Sequence, residues 1–471
     1  MTNLGADPDG RVGESGRTYP RRVQAPDRSA PATTDPGGSS RPVGRLRLSA
    51  IAVGAALGVY LPFVAVALTE RGLTVTQVGL VMSLGAVGFV VAVPVWGHVA
   101  DVILGRPRAL ALVAVGGGLV LAAILADVPP AVTGFLYVAG TMFTAAWMPL
   151  NDAITVNVMR DGPGYVRVRL LMSLFYALAA AGAGVVYATT GFSAALGFVA
   201  IGGAAVAVVA LRLPDVPRAV LAAHTPAPGR GGAPLRGLIG SSIAALAIAP
   251  TLPWILVAIA LAFLGVNAGN TFIGLRLLEL GGDSVDVALA SVVSAAVEVP
   301  AMLAAGAVAA RIGLRALFVG SALIGAAGAA SWAAADSVGV ILVTRSLVGV
   351  AFGGMLVASV LTMRSLLPAE LQGTGQSLFQ ATCFGVAAVI ANAVGGLVYP
   401  HVGYTGLFAL CAAAGVAAAV VAWWAYGRTD GLADGFSARG AVEPVPPGEP
   451  VPPGEPVPPG EPVAPATAER R

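Results

Sequence analysis

Two ionisable residues stand inside apolar runs that otherwise carry no charge. Glu298 lies 12 residues after Asp286 and 13 before Arg311, with only apolar or small residues between. In a helix rising 1.5 Å per residue, it sits about 18 Å from one flank and about 20 Å from the other. Arg345 follows Asp336 by nine residues, roughly 14 Å into its own run. A charge at the centre of a bilayer costs at least about 2.5–3.5 kcal/mol on insertion scales, so such residues pair or serve an ion or solute path. A carboxyl group taken out of water exchanges its proton nearer neutral pH, and a neighbouring guanidinium modulates that exchange. Glu298 is therefore the expected proton carrier and Arg345 its switching partner. An anionic solute held by Arg345, or a fixed structural ion pair, are the alternatives.

Other polar residues are sparser. Asp152 lies near the end of an apolar run and faces two candidate partners, Arg167 and Arg169. Tyr60, Trp147, Asn267, Asn270, Gln376 and Gln380 are candidate solute contacts. Asn267 with Asn270, and Gln376 with Gln380, stand at i,i+3 and i,i+4, so each pair shares a helix face. Hydrogen bonding between helices is the competing reading for all six. His98, His224 and His401 are scattered, and Cys383 and Cys411 lie in apolar runs, where they pack as small hydrophobes. No metal-ligand cluster, phosphate-binding loop or G-x-S-x-G nucleophile motif is present, so neither an enzyme nor a cofactor is expected.

The elements that must position these residues are long apolar helices. The 471-residue chain is 56% hydrophobic and 11% charged, with mean hydropathy +0.83. Soluble domains carry about 25% charged residues, so the apolar surface here needs lipid as its solvent. Lipid forces every backbone polar group to be satisfied within its segment, which favours helices. Spans fall at 48–69, 76–100, 108–126, 131–151, 168–190, 193–211, 251–273, 285–309, 314–334, 338–362, 375–398 and 403–426. All 27 basic residues are arginine, and with the N-terminus inside, 24 of them fall on the inner side. That bias places both termini in the cytoplasm. The expected fold is an all-α integral membrane protein of twelve transmembrane helices in two six-helix bundles. The bundles cover 46–212 and 251–428, with a cytoplasmic linker at 213–250. Polar tails at 1–45 and 429–471 are expected to be solvated; the second repeats VPPGEP three times and favours extended polyproline II. No cleavable leader is visible in the first 45 residues.

A repeated motif supports the duplication. Gly97-His98-Val99-Ala100-Asp101-Val102-Ile103-Leu104-Gly105-Arg106-Pro107-Arg108 follows the second span. Gly306-Ala307-Val308-Ala309-Ala310-Arg311-Ile312-Gly313-Leu314-Arg315 follows the eighth. Both resemble the G-x-x-x-D-R-x-G-R-R loop signature of the major facilitator superfamily, and the resemblance covers about residues 46 to 428. The first copy keeps the acid but has one extra residue before Gly105. The second keeps the basic spacing but has Ala310 in place of the acid. In that family the loop charges form a cytoplasmic latch. The resemblance implies this role for Asp101, Arg106 and Arg108, with Arg311 and Arg315 in the second copy.

Pro149-Leu150-Asn151-Asp152-Ala153, Gly164-Tyr165-Val166-Arg167-Val168-Arg169-Leu170 and Glu298-Val299-Pro300 resemble motifs of the branch containing phenylpropionate permeases and lactose-permease-like symporters. Val166 and Leu171-Met172 depart from that pattern. The implied activity is secondary active transport of a small organic solute, an aromatic acid or sugar-like compound, by proton symport through a monomer in the bacterial plasma membrane. Proton-coupled efflux of a drug-like compound or secreted metabolite is the runner-up, and a transport-inactive sensor or scaffold the third reading. The partners expected are the solute, protons and the lipid bilayer, with no nucleic acid.

Overall fold

The structure is a computed structural model that describes residues 40–159, 162–214 and 234–428. The tails and most of the linker therefore lie outside the described residues, as does the VPPGEP repeat. The described residues are helical throughout, with no strand among them. The first half comprises α1 (Ser40–Gly58), α2 (Val64–Glu70), α3 (Val75–His98), α4 (Arg106–Ala122), α5 (Pro130–Thr144), α6 (Trp147–Val158), α7 (Gly162–Thr190) and α8 (Ala194–Ala210). The second comprises α9 (Pro234–Ile248), α10 (Leu252–Glu279), α11 (Ser284–Ala334), α12 (Val338–Leu366), α13 (Gln372–Gln380) and α14 (Ala387–Tyr426). Two π-turns, Val99–Leu104 and Ala381–Val386, extend α3 and join α13 to α14. Among the described residues, eight helices, counted through such turns, are long and apolar enough to cross a membrane.

Apolar character drives these helices, and small residues let them pack. Lipid is as apolar as leucine, so helix association depends on close backbone approach. A Cβ at Gly203 would run into the Ala114 carbonyl, and one at Gly54 into that of Met172. The buried side chains form two clusters. One gathers around Tyr60, Leu110, Trp147 and Val206; the other around Phe263, Phe272, Trp332, Phe379 and Phe408.

Matching devices recur in the two halves. Thr74 and Gln77 form a reciprocal capping box at the start of α3, and Asp283 and Asp286 form one at the start of α11. Each box satisfies amide groups that a helix start leaves without partners. Glu70, at the end of α2, accepts from the amides of Phe192 (3.0 Å) and Ser193 (2.7 Å), at the start of α8. Backbone breaks also match: Gly105 (φ 85°) separates α3 from α4, and Gly313 (φ 83°) breaks the long α11 at the corresponding place. This left-handed conformation is open to glycine at little cost.

One boundary differs from expectation. The segment 213–250 was expected to be linker, but its second part folds as α9, which packs against α13. Pro234 is suited to a first helical turn, and Ala245 of α9 is fully buried.

The two halves meet closely at the end that the arginine pattern places outside. A Cβ on Gly79 of α3 would meet the Asn392 oxygen and the Gly396 Cα of α14 at 2.5 Å. Ser83 donates to the Val389 carbonyl at 3.0 Å. On the other flank, Ser284 of α11 donates to the Gly184 carbonyl of α7 at 2.6 Å.

Candidate functional site

Glu298 sits in α11, half-buried, two residues before Pro300. Gly349 and Gly353 allow α12 to lie against the α11 backbone here: a Cβ on either would press on Glu298 backbone atoms at 3.3 and 3.0 Å. Among the described residues the Glu298 carboxylate makes no ion pair. The charges acting on it most are those of Arg169, from the other half, and then Arg345.

The expected Glu298–Arg345 pair is therefore not formed in this conformation. Arg345 is 3% exposed and already committed. Its Nε donates to the Ala290 carbonyl (3.1 Å), its Nη2 to Asn270 Oδ1 (3.2 Å), and its guanidinium lies 5.4 Å from the Trp332 ring. These are neutral acceptors, so the charge has no counter-charge within contact. Tyr176 of α7 lies within electrostatic reach of both Arg345 and Glu298.

Arg169 is what the residue pattern left undecided. It forms the ion pair with Asp152 (2.9 Å) that was expected of either Arg167 or Arg169. Two residues apart on a helix means nearly opposite faces, and Arg167 is exposed. Arg169 thus bridges Asp152 of its own half and the field of Glu298 in the other.

The candidate solute contacts divide. Asn270 and Gln380 are exposed. Asn267 donates to the Phe263 and Cys383 carbonyls, and Gln376 to the Val360 carbonyl, so both serve helix packing here. Trp147 is sealed in the first core with its indole N–H on the Val113 carbonyl at 3.0 Å. Tyr60 is fully buried in the same core, which also holds Tyr137. In this conformation Asn267, Gln376 and Trp147 are engaged with carbonyls of neighbouring helices, as the competing reading has it, and Tyr60 is sealed in the first core. Both cysteines are buried and free.

The loop motif forms a compact joint. Asp101 pairs with Arg106 at 2.7 Å, and Arg106 also donates to the Ala153 carbonyl of α6 at 3.2 Å. The extra residue of the first motif copy is absorbed by the π-turn Val99–Leu104, which carries one more residue per hydrogen-bonded turn than α-helix. The irregular spacing thus leaves the acid–base contact intact. Arg108 and Arg311 are exposed, and Arg315 stacks 3.7 Å over the Trp423 ring. Charge-assisted hydrogen bonds are worth about 1.5–3 kcal/mol. Arg106→Gln is expected to lower the transport rate by about tenfold while expression holds; an unchanged rate in flux assays would remove the joint from the mechanism.

Helical halves carrying matching caps, breaks and loop motifs around a membrane-buried acid define a multi-pass membrane protein of the transporter class. The profile of the MFS_1 like family matches residues 52–410. The maltose permease of Geobacillus stearothermophilus is 30% identical over 349 residues, spanning 72% of this chain and 84% of that protein. This chain belongs to the MFS_1 like family, within the major facilitator superfamily of membrane transporters. The fold is similar to that of the nucleoside transporter NupG (TM-score 0.69, 15% identity, 82% of this chain and 99% of that one). It is also similar to that of the D-xylose-proton symporter (TM-score 0.60, 14% identity, 81% and 96%).

Proposed function

We propose that this protein takes up a small polar organic solute together with a proton, by alternating access across the plasma membrane. The observation that carries the reading is Glu298: an acid deep in an apolar helix, without an ion pair among the described residues, and within electrostatic reach of Arg169 and Arg345, one from each half. A fixed structural pair would hold its partner in contact. An acid that loads and releases a proton needs partners within reach but not bound.

On this reading the chain crosses the membrane twelve times. The kinked α11 and the π-joined α13–α14 each supply two crossings, and the bundles 46–212 and 251–428 rock against each other with both termini cytoplasmic. Protonated, Glu298 is neutral and leaves Arg169 on Asp152. Deprotonated, it draws Arg169 across the interface and biases the two openings differently, which is what a coupling ion must do. Asp101, Arg106 and Arg108 latch the inner side of the first half, with Arg311 and Arg315 in the second. Asn270 and Gln380 are the solute contacts best placed by exposure. The similarity to a maltose permease favours a sugar-like solute over an aromatic acid.

The test is flux in proteoliposomes under an imposed pH gradient, with maltose, monosaccharides and aromatic acids as probes. Solute accumulation driven by inward proton flow is expected. Solute moving against the proton flow would overturn uptake in favour of export. A companion variant, Asp152→Asn, frees Arg169 to pair with Glu298. It is expected to cut proton-driven uptake at least about tenfold, since one unpartnered charge-assisted contact of ~1.5–3 kcal/mol is redirected; wild-type uptake in this variant would remove Arg169 from the coupling.

A further inference from the structure

Asn267 does more than join two helices. It lies in α10, and its side-chain amide donates both to the Phe263 carbonyl four residues back (2.8 Å) and to the Cys383 carbonyl (3.0 Å). Cys383 sits within the π-turn Ala381–Val386. In an α-helix the Cys383 carbonyl would receive the amide of Ala387, four residues on. Here the Ala387 amide reaches one residue further back, to the Thr382 carbonyl. The Cys383 carbonyl thereby loses its helical donor, and the Asn267 amide supplies one.

A buried carbonyl without a donor costs free energy comparable to a lost hydrogen bond, and is more costly in lipid than in water. The π-turn is therefore tenable where Asn267 stands, and less so without it. Aromatic packing surrounds the same turn: Phe263 lies edge-on to Phe379 (6.3 Å) and to Phe384 (6.0 Å), one on each side of Cys383.

The turn sets a rotational register. A π-turn absorbs one extra residue, and each residue in an α-helix turns the chain by about 100°. On the far side of the turn, Gly396 and Asn392 of α14 meet Gly79. On the near side, Gln380 is exposed, and a glutamine amide belongs against water rather than hydrocarbon. With the Gly396 contact held, collapse of the π-turn to plain α-helix rotates α13 by one residue step. The direction held by residue 380 then passes to residue 381.

We propose that Asn267 is a positioning residue: by completing the π-turn it aligns Gln380 with the solute path while α14 keeps its seal against α3. The inference rests on the transport reading for its consequence, but its structural content is independent of solute or proton coupling.

The test uses the full chain with Cys383→Ala and Cys411→Ala, and a single cysteine placed at position 380 or 381. Labelling is by a water-soluble maleimide on correctly folded protein in the membrane. With Asn267 present, position 380 should label and 381 should not. With Asn267→Leu, which keeps the bulk and removes the donor, labelling should move to 381 and solute uptake should fall about tenfold. An unchanged pattern overturns the proposal whatever uptake does, and a lost flux in the parent protein with a shifted pattern faults the transport reading alone. Deleting Thr382 removes the extra residue and covers the case in which Asn267→Leu does not fold. In that background position 380 should label with either Asn267 or Leu at 267, and loss of labelling at 380 there overturns the register argument.

Discussion

Glu298→Gln is expected to abolish solute accumulation driven by a pH gradient while leaving solute exchange at equal pH on the two sides. Glutamine keeps the size and the hydrogen-bonding edge of a protonated glutamate but never carries the negative charge. The variant should therefore behave as a carrier fixed in its loaded state. It binds solute and turns around with solute bound, but it cannot return by releasing a proton. Uphill uptake should fall to the level of protein-free vesicles, and counterflow of labelled solute should stay within about threefold of the parent, since no charge-assisted contact is lost in the loaded state. Loss of both activities would assign Glu298 to solute binding or to folding. Full uphill uptake would end its role as proton carrier. The split between the two assays matters because a solute-binding or folding role predicts that both fall together, whereas a proton carrier loses only the uphill step.

Replacing Gly79 with leucine should hold the outer side open. The atoms a new Cβ would meet at 2.5 Å are backbone atoms of Asn392 and Gly396, which cannot rotate away as a side-chain tip can. Overpacking of this kind costs roughly 1–3 kcal/mol in a well-packed core. In a protein with two openings, moving α3 away from α14 relieves that cost, so the population shifts toward the state in which the seal is absent. A shift of that size changes the balance about five- to 150-fold. The readout is a cysteine in place of Ser83, one turn deeper and now buried, in a background without Cys383 and Cys411. A membrane-impermeant maleimide added outside should label it in Gly79→Leu and not in the parent, and net transport should be lost. Labelling equal to the parent, with transport intact, would show that the contact does not govern access.

Membrane residence and helical class were legible because each rests on a long-range average. Apolar windows of about 20 residues and the placement of 27 arginines are sums over many positions, and no single neighbour can reverse them. The loop motif was legible for a local reason: Asp101 and Arg106 are close in sequence and meet within one turn. Even its extra residue, an irregularity on paper, proved to be the content of a π-turn. The prominence of Glu298 was also plain, since an acid with eleven uncharged residues before it and twelve after it has no local explanation.

Which groups meet across helices was decided by tertiary structure alone. Arg167 and Arg169 are equivalent by composition, and only the rotation of α7 against α6 puts Arg169 on Asp152. Glu298 and Arg345 look like partners by depth, yet Arg345 is turned to the Ala290 carbonyl and to Asn270. Asn267 reads as a solute contact, but the carbonyl it serves exists only because a distant helix contains a wide turn. The amino-acid sequence by itself determined the solvent, the helical class and one acid set apart in an apolar run, because free energies of transfer add up along the chain. The tertiary structure decided the partners that meet across helices, because a hydrogen bond or ion pair depends on ångström-scale separation and on helix rotation, which hydrophobic patterning does not specify.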